Sequence, residues 1–411
     1  MVGPGQPDMN LLTFSTLYPN AAQPSHGIFV ETRIVRLVAG GGITTRVVAP
    51  VPYVPDLPLV PERYRILAGV PASEERFGIP VLHPRFPVLP KIGMTVAPLL
   101  LYPAARAAVS RLVRDGYAFD LIDAHYFYPD GVAAAMLGRH FGKPVVITAR
   151  GTDINLIPNY RLPRAMIRWA AREAAGIVTV CAALRDALVE LGAPAAKIRV
   201  LRNGVDLVLF RPGDRAAQRA RLGFAGVTLL SVGHLIPRKG HDLVIGALPF
   251  LPDTRLVIVG AGPEDAALRS LARRLDVAGR VRFLGSLSQA ALAEIYSAAD
   301  ILVLASSREG WANVLLEAMA CGTPVVASNV WGTPEVVASP DVGELMTERS
   351  PAAVAEAVAR FMARAPDRSR VRAYAEGFSW DATTRGQIEL FNSILQSRRG
   401  APSLLTAAAT E

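Results

Sequence analysis

Ala305-Ser-Ser-Arg-Glu-Gly-Trp-Ala-Asn-Val-Leu-Leu-Glu-Ala-Met-Ala-Cys-Gly-Thr-Pro324 is the stretch on which the fold turns. Ahead of it, Asp300-Ile-Leu-Val-Leu304 is a short run of branched apolar residues between polar signals, the pattern of a buried parallel strand. After a loop, Asn313 opens a run of helix formers through Ala320. Gly322 suits the left-handed position past a helix, and Pro324 prevents continuation before the next strand, Val325-Val-Ala327. Strand, loop, short helix, strand is a unit of an open α/β sheet, where ligands bind beyond the carboxyl ends of strands. A helix N-terminus there offers unpaired N–H groups and about half a positive charge, so the backbone at Asn313, Val314 and Leu315 suits a phosphate.

Two acids in this stretch need separate accounts. Glu309 lies in the loop and Glu317 about one turn inside the helix, and helical side chains lean toward the N-terminus, so both can reach one ligand. A carboxylate beside a diphosphate is repelled. The pair is better suited to accept hydrogen bonds from hydroxyls on either side of it, one from a sugar and one from a ribose. Spacing alone leaves open that Glu317 is a solvated helix residue and Glu309 a loop charge.

Glu309-Gly-Trp-Ala-Asn-Val-Leu-Leu-Glu317 resembles the Glu, seven residues, Glu motif of retaining GT-B glycosyltransferases, in particular the family-4 group that builds bacterial polysaccharides and glycolipids. The resemblance implies an α/β protein of GT-B type, two Rossmann-like domains facing each other across a cleft, with a nucleotide sugar bound in the second and an acceptor in the first. It also implies that the departing diphosphate itself takes the acceptor's proton. Glu309 would orient the sugar and Lys239 would stabilise phosphate charge.

Length and composition fit that organisation. A chain of 411 residues is comfortable for two cores. Cys181 and Cys321, the two cysteines, show no metal or disulfide spacing, so a reducing cytosol is the simplest setting, possible attachment being to the inner face of the cell membrane. Met1-Val-Gly-Pro-Gly-Gln-Pro-Asp8 lacks the basic and apolar regions of a secretory signal and reads as a loose tail. The apolar residues 95–113 are interrupted by Pro98, Pro103, Arg106 and Arg111, a poor membrane span, and no transmembrane helix is expected. A formal charge of +9 fits an anionic membrane, nucleic acid or anionic substrates without choosing among them; with the motif in view, no nucleic-acid partner is expected.

Along the chain, Asn10-Leu-Leu-Thr-Phe14 reads as a first strand, a helix starts near Gly27, and Thr45-Arg-Val-Val-Ala49 follows as a second strand. Gly27 is either a plain turn glycine or a close approach to the donor's phosphates, as in the family's glycine-bearing loop. Residues 50–103 are dense in proline and expected to be irregular, with Phe86-Pro-Val-Leu-Pro-Lys-Ile-Gly-Met94 resting on its own domain, on lipid or over the acceptor. Alternation then resumes: strands at 121–124, 145–149, 176–180 and 198–201, helices at 132–141, 164–174 and 182–190. His125 and Asp153 each follow a strand's carboxyl end. The family often has histidine at the position of His125, near the transferring sugar, and a basic residue at Arg150 in a basic-Gly-x-Asp motif. Arg161, Arg164, Arg168 and Arg172 fall on one helical stripe, either a solvated face or a surface for anionic lipid or a lipid-diphosphate acceptor.

Asn203-Gly-Val-Asp206 and Phe210-Arg-Pro-Gly213 resemble the family's interdomain linker. We therefore expect an acceptor domain over 9–205, completed by a C-terminal helix at 380–398, a donor domain over 206–379 and a disordered tail at 399–411. In the donor domain, Ser231-Val-Gly-His-Leu-Ile-Pro-Arg-Lys-Gly240 resembles the segment whose Arg and Lys clamp the diphosphate. Gly233 and Lys239 match. His234 stands where arginine is usual, so either His234 or Arg238 completes the clamp. Gly260-Ala-Gly-Pro263 lacks the third glycine of a dinucleotide loop, position 265 being Asp, and Phe283-Leu-Gly285 resembles a segment lining the nucleobase. No Asp-x-Asp pair occurs, so no metal-bridged diphosphate and no cofactor are expected. Catalysis is expected from Glu309, His125 and Lys239, donor binding from the residues above together with Glu317, and acceptor contacts from Arg150 and Asp153. A nucleotide-sugar epimerase or hydrolase, and a non-catalytic binding module, stay open as alternatives.

Overall fold

Met9–Phe14, buried at five of its six positions, is the central strand of an eight-stranded sheet. The computed structural model describes residues 9–53, 62–89, 93–364 and 367–399. From one edge the strands run Ile198–Val200, Gly176–Thr179, Val145–Ala149, Leu121–His125, Met9–Phe14, Ile43–Val48, Ile79–Leu82 and Ser73–Arg76. All neighbours are parallel except the last pair. Leu121–His125, Val145–Ala149 and Gly176–Thr179 are buried throughout, as strands covered on both faces are, with Asp123, His125, Thr148 and Thr179 as their polar members. The chain steps from the centre to Ile43–Val48 and later returns on the other side at Leu121–His125, so the topological switch lies between Met9–Phe14 and Leu121–His125.

A second sheet has six strands in the order Val281–Phe283, Thr254–Val259, Val227–Val232, Ile301–Leu304, Val325–Ser328 and Gly343–Met346, all parallel. Its switch lies between Val227–Val232 and Ile301–Leu304. The helix Asn313–Ala320 buries Leu315, Leu316, Ala318, Met319 and Ala320. Gly322 (φ 76°) ends the turn, its N–H donating to Met319 O at 2.8 Å. Both sheets have the doubly wound form expected.

Residues 50–103 are more regular than their prolines suggest. Val51–Pro52 pairs with Arg85–Phe86, Ser73–Arg76 with Ile79–Leu82, and Gly93–Arg114 is one 22-residue helix containing Pro98 and Pro103. A proline inside a helix leaves the carbonyl four residues back without its donor. Here the Tyr128 hydroxyl reaches Met94 O at 2.6 Å and Thr95 O at 2.9 Å, supplying the donor that Pro98 lacks. By length and composition this helix could cross a membrane, yet Pro98, Leu101, Ala105, Val109 and Leu112 are buried within the protein.

The chain divides into two compact units, one of residues 1–180, 184–201 and 384–411, the other of 181–183 and 202–383. The changeover falls at 201–202 rather than at 205. Val205 N–H donates to Phe378 O, and a Cβ on Gly204 would stand 2.5 Å from Trp380 N, which ties these linker residues to the second unit. The last helix runs Trp380–Arg399. Its Phe391, with Ile388, Leu390, Ile394 and Leu395 around it, packs with Met9, Leu11, Leu37, Leu121, Val146 and Val178 in the first unit's core. The expected tails, residues 1–8 and 400–411, and residues 90–92 of the apolar segment lie outside the described residues; Arg399 belongs to the helix.

Candidate active site

The switch point of the second sheet gathers most of the expected donor residues. Val227–Val232 runs into Gly233 (φ 150°) and a tight turn at Pro237–Lys239, while Ile301–Leu304 runs into the loop carrying Glu309. The two loops touch through their backbones. Ser307 N–H donates to Arg238 O at 2.8 Å, and a Cβ on Gly240 (φ 69°) would lie 2.1 Å from Ala305 O. Only glycine fits there. This keying brings Lys239 Nζ to 2.6 Å from Glu309 Oε1, with Arg238 Nη1 at 3.5 Å from Oε2 and donating to Arg308 O. Burial by itself would raise the Glu309 pKa; Lys239 and Arg238 outweigh it and hold the carboxyl below its ordinary value, ionised at neutral pH. His234 is exposed, whereas Arg238 lies against Glu309, so Arg238 is the second basic group of the cluster.

Glu317 is partly buried, and the Tyr296 hydroxyl donates to its Oε2 at 2.9 Å. Burial pushes its pKa up to about 7, opposed by the Tyr296 hydrogen bond. Of the backbone groups expected to greet a phosphate, Asn313 N–H donates to Trp311 O and Leu315 N–H to Ala312 O within their own turn, and the Leu315 side chain belongs to the core. Val314 is partly buried, and the Asn313 side chain accepts from Asn203 at 3.2 Å. Phe283 ends its strand with the Arg269 guanidinium 4.2 Å from its ring centroid.

In the first unit, His125 is fully buried, 0% exposed. Arg150 Nη2 stands 2.7 Å from its Nδ1, and its Nε2 is 3.1 Å from Asp123 Oδ2. A guanidinium only donates, so Nδ1 accepts and the ring proton sits on Nε2, toward Asp123. Burial lowers the His125 pKa to about 4, which agrees with a neutral ring. His125, expected near the transferring sugar, has both ring nitrogens engaged by protein groups in this structure. Asp123 also accepts from Gln387 Nε2 at 3.0 Å, and Gln387 Oε1 accepts from Arg33 Nε at 2.8 Å, giving a buried chain of five polar side chains.

Arg150 and Asp153 likewise turn inward. Arg150 lies over the Phe29 ring at 5.5 Å as well as on His125. Asp153 is fully buried and accepts from the N–H groups of Phe127 (2.7 Å), Gly151 (2.6 Å) and Arg150 (3.1 Å), fixing the loop; burial raises its pKa against those donors. Gly27 has φ 69°, and a Cβ there would stand 2.4 Å from the Leu17 carbonyl, so the close approach it permits is to the Leu17–Tyr18 backbone. Sequence reasoning missed Asp130, which accepts from Thr16 N (2.7 Å) and Oγ1 (2.9 Å) at this switch point, and Tyr296. Asp123 was visible as an acid inside an apolar strand; Tyr296, on an ordinary helix, gave no signal.

Arg161, Arg164, Arg168 and Arg172 are all exposed on the helix Arg161–Glu173, opposite buried Pro163, Ile167, Ala170 and Ala171. Among the described residues, no group of three or more His, Cys, Asp or Glu is placed to hold a metal ion.

Residues 214–378 match the family described as glycosyl transferases group 1, and residues 53–209 match glycosyltransferase family 4. A D-inositol 3-phosphate glycosyltransferase of Acidothermus cellulolyticus is 34% identical over 343 residues, covering 76% of this chain and 75% of the relative. Among solved structures, a sucrose-phosphate synthase from Thermosynechococcus elongatus superposes with a TM-score of 0.76 at 20% identity, covering 95% of this chain and all (100%) of the other. The Anabaena protein HepE, solved in complex with UDP-glucose, superposes at 0.71 with 21% identity, covering 94% and 100%. At such distance these structures speak to the fold, and the closer relative to the family: this chain belongs to the family-4 glycosyltransferases, enzymes of GT-B fold.

Proposed function

We propose that this enzyme is a retaining, metal-independent transferase that moves a sugar from a nucleotide-diphosphate donor to a glycan or lipid-linked acceptor in cell-surface polysaccharide or glycolipid synthesis, at the cytoplasmic face of the membrane. The observation that carries the donor reading is the cluster of Lys239 and Arg238 on Glu309 at the switch point, with Glu317 one helix further on. Lys239 and Arg238 supply positive charge where phosphate charge develops, and Glu309 is ionised and able to orient a sugar hydroxyl. Metal independence is supported by the lack of an Asp-x-Asp pair in the sequence. Membrane contact is supported by the exposed arginine stripe, beside which Tyr160 and Leu162 are 48% and 46% exposed.

A second acceptor class has its own observation. The relative at 34% identity is named a D-inositol 3-phosphate glycosyltransferase, which favours a small phosphorylated polyol over a lipid. The experiment is transfer from a panel of nucleotide sugars to inositol 3-phosphate and to membrane extract, with and without EDTA, with the product's anomeric configuration read by proton coupling. Inversion would overturn the retaining mechanism, loss of transfer in EDTA the metal independence, and donor turnover that ignores every acceptor would favour a hydrolase or epimerase.

A further inference from the structure

Tyr296 lies outside the stretch that carries Glu309 and Glu317, on the helix Gln289–Ala298 that precedes Ile301–Leu304. Its side chain is fully buried, and Phe210 meets it edge-on with ring centroids 6.0 Å apart. The backbone is fastened as well, since Thr323 Oγ1 donates to Tyr296 O at 2.5 Å. A phenol so enclosed has its hydroxyl placed by its ring, and this one ends 2.9 Å from Glu317 Oε2. No other side-chain hydrogen bond to Glu317 is formed by the described residues, and the residue is partly open to solvent.

We propose that Tyr296 is a positioning residue for donor recognition: its hydroxyl pins one carboxylate oxygen of Glu317 so that the other is presented, already oriented, to the ribose hydroxyls of a nucleotide. This rests on the nucleotide-sugar reading above. A free glutamate loses rotamer freedom when it grips a ligand; a glutamate held from behind has lost that freedom on folding, so less affinity is spent at binding. The donor also fixes the sense of the bond. A phenol O–H pointing at Oε2 keeps the carboxylate an acceptor, the form that ribose hydroxyls can meet, against the burial that favours its protonation.

The test compares three ligands by calorimetry on the full chain: whichever of uridine, guanosine and adenosine diphosphate the parent binds best, the 2′,3′-dideoxy form of that nucleotide, and inorganic pyrophosphate. The parent should prefer the ribonucleotide to its dideoxy form by roughly 10- to 150-fold, the span of a hydrogen bond to a charged group. Tyr296→Phe should cut that preference to a few-fold while leaving dideoxynucleotide and pyrophosphate affinities as they were. A structural role alone would weaken all three together. An undiminished preference in Tyr296→Phe overturns the positioning role with the ribose reading intact. A parent that binds the ribo and dideoxy forms equally shows instead that the ribose reading beneath it fails. Should Tyr296→Phe not fold, 3-fluorotyrosine at position 296 retains the hydroxyl. Its fluorine resonance should move when the ribonucleotide binds and stay when pyrophosphate binds; the same shift with both, or none with either, rejects the proposal.

Discussion

Lys239 Nζ donates to Glu309 Oε1 at 2.6 Å, so the lysine expected to grip a donor's diphosphate is held by a carboxylate four residues ahead of the Asn313–Ala320 helix. Arg238 takes the other oxygen at 3.5 Å. On the proposed donor reading, a phosphate would enter by exchange, gaining these cations as they loosen from Glu309 and leaving Glu309 to a sugar hydroxyl.

Glu309→Gln separates binding from transfer. Removing the carboxylate frees Lys239 and Arg238, so nucleoside diphosphate should bind at least as tightly as in the parent. Transfer should fall by one to three powers of ten, matching a positioned hydrogen bond of about 1.4 to 4 kcal/mol and not the loss of a covalent nucleophile. Calorimetry and initial rates decide it; weaker diphosphate binding in the variant would refute the exchange.

Lys239→Met should cost stability as well as donor affinity. Glu309 is 7% exposed, and removing one partner of a buried pair costs about 3 kcal/mol where the other charge is left alone; here Arg238 stays on Oε2, so the loss should be smaller than that. The double variant Lys239→Met, Glu309→Gln should recover most of that loss in a urea titration without recovering donor binding. A single variant as stable as the parent would show that the pair contributes little to the fold.

Two titrations run in opposite directions. Glu317 is raised from 4.5 to about 7 when folded. Between those values the folded state keeps a proton that the unfolded state has lost, so this group's contribution to stability declines as pH rises through the window. Ribonucleotide binding, which uses the ionised carboxylate, should strengthen from pH 6 to 8, and Glu317→Gln should bind more weakly with that dependence flattened. His125 falls from 6.5 to about 4, so its contribution is present above 6.5 and lost as pH drops toward 4. Replacing His125 with Gln should remove part of the acid sensitivity seen in thermal melts over that range.

The arginine stripe predicts salt-sensitive binding to anionic vesicles. Each exposed basic group near such a surface contributes about 1 kcal/mol, and screening sets in beyond roughly 8 Å at physiological ionic strength. Changing Arg161, Arg164, Arg168 and Arg172 together to Gln should abolish sedimentation with anionic vesicles. Sedimentation equal to the parent's would reject this face as the docking surface.

The sheets were legible because a parallel strand buried on both faces is largely apolar, and short branched runs such as Val145–Ala149 and Ile301–Leu304 between turn signals carry that pattern. Glu309 and Lys239 were legible through their places after strand ends and through a family motif. Gly93–Arg114 was not, since the group that compensates Pro98, the Tyr128 hydroxyl, comes from more than thirty residues along the chain (Tyr128 to Met94, 34 apart). The surroundings of His125 were not legible for a related reason. A strand end puts a side chain near the ligand crevice, but which way the ring turns is decided by Asp123 and Arg150, and only folding brings Arg150 there.

The helix Trp380–Arg399 imposes an order on biosynthesis. Residues 1–201 leave the ribosome without Phe391, Ile388 and Gln387, so the seam around Leu37 and Val178 stays open and Arg33 lacks its amide partner. At roughly 5 to 20 residues per second, that apolar edge waits about 10 to 40 seconds while residues 202–383 are made. The first unit is thus begun before the second and completed by residues made after it, its apolar edge uncovered in the interval.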